Sequence, residues 1–315
     1  MTPVVVVGAG IAGIACARVL QEAGLPVRVL ERARTPGGRM ASRRHGQRPV
    51  DIGAAYFTAR DAQFCALVAR WAGRGLVREW TDTLAVRDGD GSWRDAPGPV
   101  RWAAPDGLQA LVADLADGLD VRCGHLVCEV GPGPHVDGDP ARAVVLAMPD
   151  PQAARVLDPV LAAARVVRDR RWEPVLTLTA AFAQRRWRRL TAAFVNDHPV
   201  LALVADDGDR RGDGAPVLVA HSTAAFAAPR LDDRAAAVGP LLAALQEVLG
   251  PLGEPEFTHV HRWSFARPGS ERAEPFHLDA DGIGFAGDGW GSPRVETAWG
   301  SGTLLGQALL ERMTP

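Results

Sequence analysis

No lysine occurs anywhere in the chain; all 35 basic residues are arginine. Schiff-base chemistry, and any other mechanism that needs a lysine, is therefore excluded. Tyrosine is almost as scarce, Tyr56 being the only one, so no site can rest on a pair of them. The four cysteines, Cys16, Cys65, Cys123 and Cys128, show neither C-x-x-C spacing nor a disulfide-rich pattern, which points to a reducing compartment. Neither sign of charge dominates. The net charge is −2, without basic runs, so the composition suggests no nucleic-acid or membrane-surface partner. No apolar run approaches the ~20 residues that span a bilayer. The first residues lead straight into a strand rather than a leader, and little sequence follows the last helix. A cytoplasmic location is expected, and no oligomeric state is assigned.

What is present is a chain of 315 residues, 47% of them hydrophobic, enough for two compact units. Val4 to Val7 reads as a buried parallel strand. A glycine turn follows, then a helix from Ile11 to Ala23 that stops at Gly24, then a strand over 27–30 closed by Glu31. That is a complete βαβ unit in about 30 residues. Helical spacing recurs at Phe64, Leu67, Val68 and Trp71, and again at Leu108, Leu111, Val112 and Leu115. Short strands are predicted over 121–123, 126–130 and 143–147. From Val175 the texture changes: strand-like segments at 175–182, 193–195, 201–205, 217–220 and 257–263 predict an antiparallel sheet. Residues 206–214 read as a polar loop, 231–249 as a long helix, 284–286 as a returning strand and 296–312 as the closing helix.

The fold class is therefore α/β. It combines a Rossmann-like domain with a parallel sheet and a substrate lobe built on an antiparallel sheet. The nucleotide domain is discontinuous, spanning 1–60, 105–150 and 275–315, with the lobe formed by 61–104 and 151–274.

Gly8-Ala9-Gly10-Ile11-Ala12-Gly13 fits G-x-G-x-x-G. The glycines allow a tight turn, approach of backbone to a pyrophosphate, and close helix–strand packing. The N–H groups of Ile11, Ala12 and Gly13 open the helix toward the phosphates. Glu31, followed by Arg32, stands where an acid holds a ribose hydroxyl pair. This motif alone does not separate FAD from NAD.

Further motifs do. They are Gly37-Gly38-Arg39-Met40, Asp51-Ile52-Gly53-Ala54-Ala55-Tyr56-Phe57, Ala104-Pro105-Asp106-Gly107-Leu108, Val145-Leu146-Ala147-Met148-Pro149, Gly284-Phe285-Ala286-Gly287-Asp288-Gly289-Trp290 and Val295-Glu296-Thr297-Ala298. This constellation resembles the flavoprotein amine oxidase superfamily, and within it renalase and its bacterial relatives. The resemblance implies non-covalent FAD, with Glu31 on the adenosine ribose and Gly38 and Arg39 along the diphosphate and flavin. It places Gly53, Ala54 and Ala55 against the isoalloxazine, the Val127 backbone on adenine, and Gly287 and Asp288 on ribityl or diphosphate oxygens. A flavin taking hydride gains negative charge at N1 and the C2 carbonyl. A helix opening at Val295, Glu296 and Ala298 would stabilise that charge through its N–H groups.

Superfamily members that oxidise amines often carry a lysine near N5, a paired-tyrosine cage or a cysteine-linked flavin. This chain has no lysine, one tyrosine, and no cysteine after Cys128. A dihydropyridine donor suits these absences, because it becomes an aromatic cation on losing hydride and needs no general base. The resemblance accordingly implies an oxidase of reduced nicotinamide dinucleotide isomers that passes electrons to molecular oxygen. An amine oxidase or desaturase of a secondary metabolite stays open beside it, as does a non-catalytic flavin-binding or redox-sensing protein.

No catalytic side chain is assigned. Tyr56, His261, Trp263 and Trp290 are pocket candidates in a site expected over the flavin ring. His259 and His261 alternate like a metal pair, but no cysteine or carboxylate accompanies them at ligand spacing, so no metal is expected. Arg185, Arg186, Arg188 and Arg189 around Trp187 read as a solvated face. Ser222 lacks the G-x-S-x-G context of a hydrolase.

Overall fold

The computed structural model describes residues 2–188 and 190–313. In chain order the elements are β1 (Val4–Val7), α1 (Ile11–Glu22), β2 (Val27–Glu31), β3 (Ser42–His45), β4 (Arg48–Asp51), α2 (Ala62–Gly73), β5 (Arg78–Arg87), β6 (Trp93–Ala103), α3 (Leu108–Ala116) and β7 (Asp120–Cys123). Next come β8 (Val130–Gly131), β9 (His135–Val136), β10 (Asp139–Pro140), β11 (Ala143–Leu146), α4 (Asp150–Ala153), α5 (Ala162–Val167), β12 (Trp172–Ala181), β13 (Ala192–Val195) and β14 (Leu201–Asp206). The chain closes with α6 (Asp207–Arg211), β15 (Val217–Ser222), α7 (Ala224–Ala227), α8 (Val238–Leu249), β16 (Phe257–Pro268), β17 (His277–Leu278), β18 (Ile283–Phe285) and α9 (Val295–Met313).

Two compact units divide these elements. The first gathers 1–40, 109–172 and 267–315; the second gathers 41–108 and 173–266. The first unit holds a six-stranded sheet in the order β17-β18-β11-β1-β2-β7. All its pairings are parallel except the edge pair β17–β18. β1 lies at its centre, all four valines buried, as a parallel strand covered on both faces requires. On one face α1 packs against α9. A Cβ on Gly302 would stand 1.9 Å from the Ala12 carbonyl oxygen, so the glycine lets the two backbones nearly touch.

The second unit holds a seven-stranded sheet in the order β16-β12-β15-β14-β13-β5-β6. It is antiparallel at β12–β15, β15–β14, β14–β13 and β5–β6, whereas β13 pairs with β5 in parallel. One face packs on α8: Leu176, Leu178, Ala180, Leu218, Ala220 and Val260 join Leu241, Leu245 and Val248 in a single buried cluster. By period-two alternation the other face carries Thr177, Thr179 and Ala181, Val217, Val219 and His221, and Phe257, His259, His261 and Trp263.

The observed limits differ from the sequence expectation in four places, one of them being residues 105–108, which group with the second unit. Residues 41–60 group with the second unit, because Val50 packs on Ala181, Val217 and Val219. Residues 151–172 and 267–274 group with the first. There Ala153, Leu157, Leu161, Ala163 and Val167 share a core with Val144 and Phe285.

Three local expectations also change. Of the strand expected over 126–130, only Val130 pairs, because the Cys128 and Glu129 N–H groups donate to Asp137 Oδ1 instead. The helix expected from 231 begins at Val238, where Pro240 falls in the first turn and costs no helical bond. The polar loop expected over 206–214 contains α6, and its Asp207, Arg210 and Arg211 are all buried.

Candidate active site

The dinucleotide half of the site is built at the carboxyl end of β1. Gly10 caps α1 with extended backbone and no side-chain hydrogen bond. The N–H groups that open the helix at Ile11, Ala12 and Gly13 are thus left for an anion. A Cβ on Gly13 would stand 2.0 Å from the Gly8 carbonyl oxygen, so only glycine lets the helix close this tightly on the turn. The Gly37 N–H donates to the Ala9 carbonyl at 2.9 Å, docking the Gly38–Met40 turn on the glycine loop.

Glu31 is buried at the end of β2. Its Oε2 accepts from the Ala9 N–H at 2.8 Å and its Oε1 from the Ala33 N–H at 2.7 Å. The carboxylate therefore shapes the turn, and each oxygen retains a second lone pair for a ribose hydroxyl. Arg32 is exposed. Val127 is buried and stands outside any strand, so its N–H and C=O belong to no sheet ladder.

Arg39 and Asp288 meet in a bidentate ion pair, at 2.8 and 2.5 Å. The Arg39 guanidinium lies 5.0 Å from the centre of the Trp172 ring. Trp172 Nε1 donates to Asp150 at 2.8 Å, and Asp150 in turn accepts from Arg272 at 2.6 Å. Arg272 stacks 4.0 Å over Trp290 and donates to the Gly289 carbonyl at 3.2 Å. Trp290 itself is buried in the core with Phe285. It supports the Gly287–Trp290 turn rather than flooring an open pocket. The Gly287 N–H donates to Ser301 Oγ of α9 at 2.9 Å. At the start of that helix the Ala298 N–H is already bonded to the Arg294 carbonyl. The N–H groups of the first turn, Val295 to Thr297, are the ones with no carbonyl acceptor inside the helix.

In the second unit, Trp263 Nε1 donates to the Ile52 carbonyl at 2.8 Å. This fixes the segment that continues into Gly53, Ala54 and Ala55. His261 packs on Trp263 with ring centroids 4.4 Å apart. Burial, then His259, Arg43, Arg234 and Arg262, push the His261 imidazole down to about 4, so it is neutral near pH 7. Tyr56 lies under the Arg101 guanidinium, 5.6 Å from its ring centre, and beside Trp80. Of the four pocket candidates, Tyr56, His261 and Trp263 belong to this unit, and Trp290 to the other.

Other sequence readings resolve here. Trp187 is buried and its Nε1 donates to Asp206 at 2.7 Å, while Arg185 pairs with the same carboxylate. The segment is therefore anchored, not merely solvated; Arg189 lies outside the described residues. Ser222 is buried and spends its hydroxyl on the Leu176 N–H and the Thr223 carbonyl. Among the described residues no group of three or more His, Cys, Asp and Glu could hold a metal, and no helix is long and apolar enough to cross a membrane.

A family model described as flavin containing amine oxidoreductase matches residues 88–310. The chain belongs to that family. A second model, an NAD(P)-binding Rossmann-like domain, matches residues 6–71. Solved structures share the fold over nearly their whole length. A double mutant of putrescine oxidase from a cofactor-binding redesign superposes with TM-score 0.78 at 17% identity, covering 99% of each chain. A putative protoporphyrinogen oxidase from Exiguobacterium sp. 255-15 reaches 0.79 at 15% identity, again over 99% of each chain. Cyclohexylamine oxidase from Brevibacterium oxydans reaches 0.76 at 14% identity over 100% of each. A local match, 49% identical over 57 residues, links the chain to hydroxyneurosporene desaturase of Rubrivivax gelatinosus; it spans 18% of this chain and 11% of that protein.

Membership of a flavin containing amine oxidoreductase family makes the protein an FAD-dependent oxidoreductase. The residues present fit that cofactor. An uncapped helix N-terminus, a buried carboxylate with spare lone pairs, and an arginine–aspartate fork are groups of the kinds that the anion, ribose and polyol parts of FAD require.

Proposed function

We propose that this amine oxidoreductase homologue is a renalase-like oxidase, taking hydride from reduced nicotinamide dinucleotide isomers and returning electrons to molecular oxygen. FAD, when bound, supplies the two-electron acceptor. The chain's own residues bind and orient the donor and exclude water. The observation that carries the reading is the charge around His261. A neutral imidazole stands against Trp263, with Arg43, Arg234 and the Asp232-paired Arg262 contributing positive charge nearby. Such a field repels an ammonium and attracts the phosphates of a dinucleotide. The absence of lysine and of a second tyrosine supports the same choice, since a dihydropyridine gives up hydride without a base.

In this reading the first turn of α1 and Glu31 hold the adenosine diphosphate. Arg39, Gly53, Ala54, Ala55, Gly287 and Asp288 hold the ribityl and flavin end, and the start of α9 stabilises negative charge on the ring. The donor is identified by anaerobic flavin bleaching against normal NADH and NADPH, their reduced isomers, and several amines. Fast bleaching by an isomer, with slow or no bleaching by amines, is expected. Fast reduction by an amine alone would move the assignment to the amine oxidase or desaturase reading.

A further inference from the structure

The short helix α6 carries a concentration of buried charge that the proposed chemistry does not use. Asp207 is 0%, Arg210 1% and Arg211 6% exposed, and they face Asp51 at 1%. Arg210 Nη1 donates to the Ala55 carbonyl at 3.0 Å and Nη2 to the Asp51 carbonyl at 3.4 Å, while the same guanidinium pairs with Asp207. Arg211 pairs with Asp51 Oδ2 at 3.2 Å and with Asp207 at 3.1 Å, and donates to the Pro105 carbonyl at 2.9 Å. Asp51 Oδ1 accepts from the Leu108 N–H at 2.9 Å and from Ser42 Oγ at 2.5 Å. Arg48 closes the cluster on Asp207 and Asp213.

Buried ion clusters gain little over apolar packing of equal volume, because desolvation offsets the attraction. What this one provides is geometric. Gly53 has no side chain, and Ala54 and Ala55 carry only a methyl each, so the segment has no polar side chain of its own to fix its peptide planes. The carbonyls at each end of the segment, those of Asp51 and Ala55, both accept from Arg210. Trp263 holds the Ile52 carbonyl between them. α6 is the connection between the paired strands β14 and β15, so the segment is referenced to the seven-stranded sheet.

We propose that Arg210 and Arg211 are positioning residues of the flavin reaction: their buried forks set the orientation of the Asp51–Ala55 segment that supports the isoalloxazine. This rests on the reading that Gly53, Ala54 and Ala55 line the ring. A lysine at 210 keeps a charge opposite Asp207, but a single ammonium cannot also span two carbonyls. The Arg210→Lys holoenzyme should retain stoichiometric FAD yet show displaced visible absorption maxima and a displaced dye-equilibrated midpoint potential. With the donor that reduces the wild type, its limiting anaerobic reduction rate should fall at least tenfold, the donor Kd staying within threefold.

Ala54→Val is measured in parallel. If it perturbs the flavin spectrum and Arg210→Lys leaves spectrum, potential and rate unchanged, the segment lines the ring but the positioning role is overturned, whatever happens to Tm. If Ala54→Val leaves the spectrum unchanged, the segment does not line the ring, and both the reading and the proposal fall. Should Arg210→Lys not accumulate as holoenzyme, Arg211→Lys carries the same test with the same outcomes, since it leaves Arg210 on the Ala55 and Asp51 carbonyls and loosens the contacts of Arg211 to the Asp51 and Asp207 carboxylates and to the Ala104 and Pro105 carbonyls.

Discussion

Arg39 and Asp288, 249 positions apart in sequence, form two parallel hydrogen bonds at 2.8 and 2.5 Å. Each was expected to contact the cofactor directly. Their pairing makes them a preformed unit. Asp288→Asn removes the charge and half of the fork while preserving size. FAD affinity should fall about tenfold to a hundredfold, the equivalent of a charge-assisted bond worth roughly 1.5–3 kcal/mol. Titrating apoprotein with FAD by flavin fluorescence checks it; unchanged affinity would remove the pair from the site.

Glu31 has two roles that separate experimentally. Because its carboxylate also accepts from the Ala9 and Ala33 N–H groups, Glu31→Ala should lower the Tm of the apoprotein as well as weaken FAD. Glu31→Gln keeps one carbonyl acceptor, so it should cost less stability, while still losing a charge-assisted bond worth roughly 1.5–3 kcal/mol in FAD binding. An apoprotein Tm left unchanged by both variants would assign Glu31 to the ribose alone.

His261 should make the fold acid-sensitive. Its imidazole is held at about 4 against an ordinary value of 6.5, by burial first and then by His259, Arg43, Arg234 and Arg262. Between those values the unfolded chain binds more protons than the folded one, so stability falls as pH drops from 6.5 toward 4 and is fully present above 6.5. His261→Gln, which takes up no proton, should flatten that part of the Tm–pH curve. An identical slope in both proteins would refute the assignment.

The flavin should come free on acid precipitation. Cys16 is buried, with its thiol pushed up to about 12, and the exposed Cys65, Cys123 and Cys128 all precede the Gly287–Ala298 region. Mass spectrometry of the denatured chain should show no flavin adduct.

Gly302→Ala should separate α9 from α1, since its methyl would meet the Ala12 backbone at 1.9 Å. Overpacking of this kind costs about 1–3 kcal/mol, and FAD retention should drop with it because Ala12 belongs to the phosphate turn. Gly300→Ala, in the same helix with nothing within 4 Å, should leave Tm unchanged or raise it. Helix propensity favours alanine at both positions, so comparable losses in both variants would show that the Ala12 contact is not what sets the cost at 302.

How far the sequence could be read follows from how locally each element is specified. β1, α1 and β2 carry their own periodicity, glycine turn and closing acid within about 30 residues, so they were legible almost to the residue. β14, β15 and β18 likewise announce themselves as buried apolar runs. The β5–β6 hairpin was not legible. β6 is an edge strand with Pro97 and Pro99 in it and most of its first half exposed, so it shows no alternation. α6 was missed for a sharper reason. Asp207, Arg210 and Arg211 look solvated in sequence, and only the fold brings Asp51, 156 residues earlier than Asp207, to meet them. The identities of the glycine turn, Glu31 and Asp288 were readable from motifs. That Arg39 pairs with Asp288, or that Trp263 anchors Ile52, depends on long-range approach that no local spacing records.

The contact between α1 and α9 has a consequence for biosynthesis. β1, α1 and β2 are made first, but their sheet is completed by β7, β11, β18 and β17, and α1 packs on α9, the last helix to be made. The strands of the seven-stranded sheet all lie between these pieces, in residues 78–268. On the ribosome the inserted unit can therefore close while the first βαβ segment still waits for its last helix. Stable capture of the coenzyme then belongs after translation of residues 295–313. A nascent chain stalled before Val295 should have its second unit protected from protease while its glycine turn remains open to cleavage.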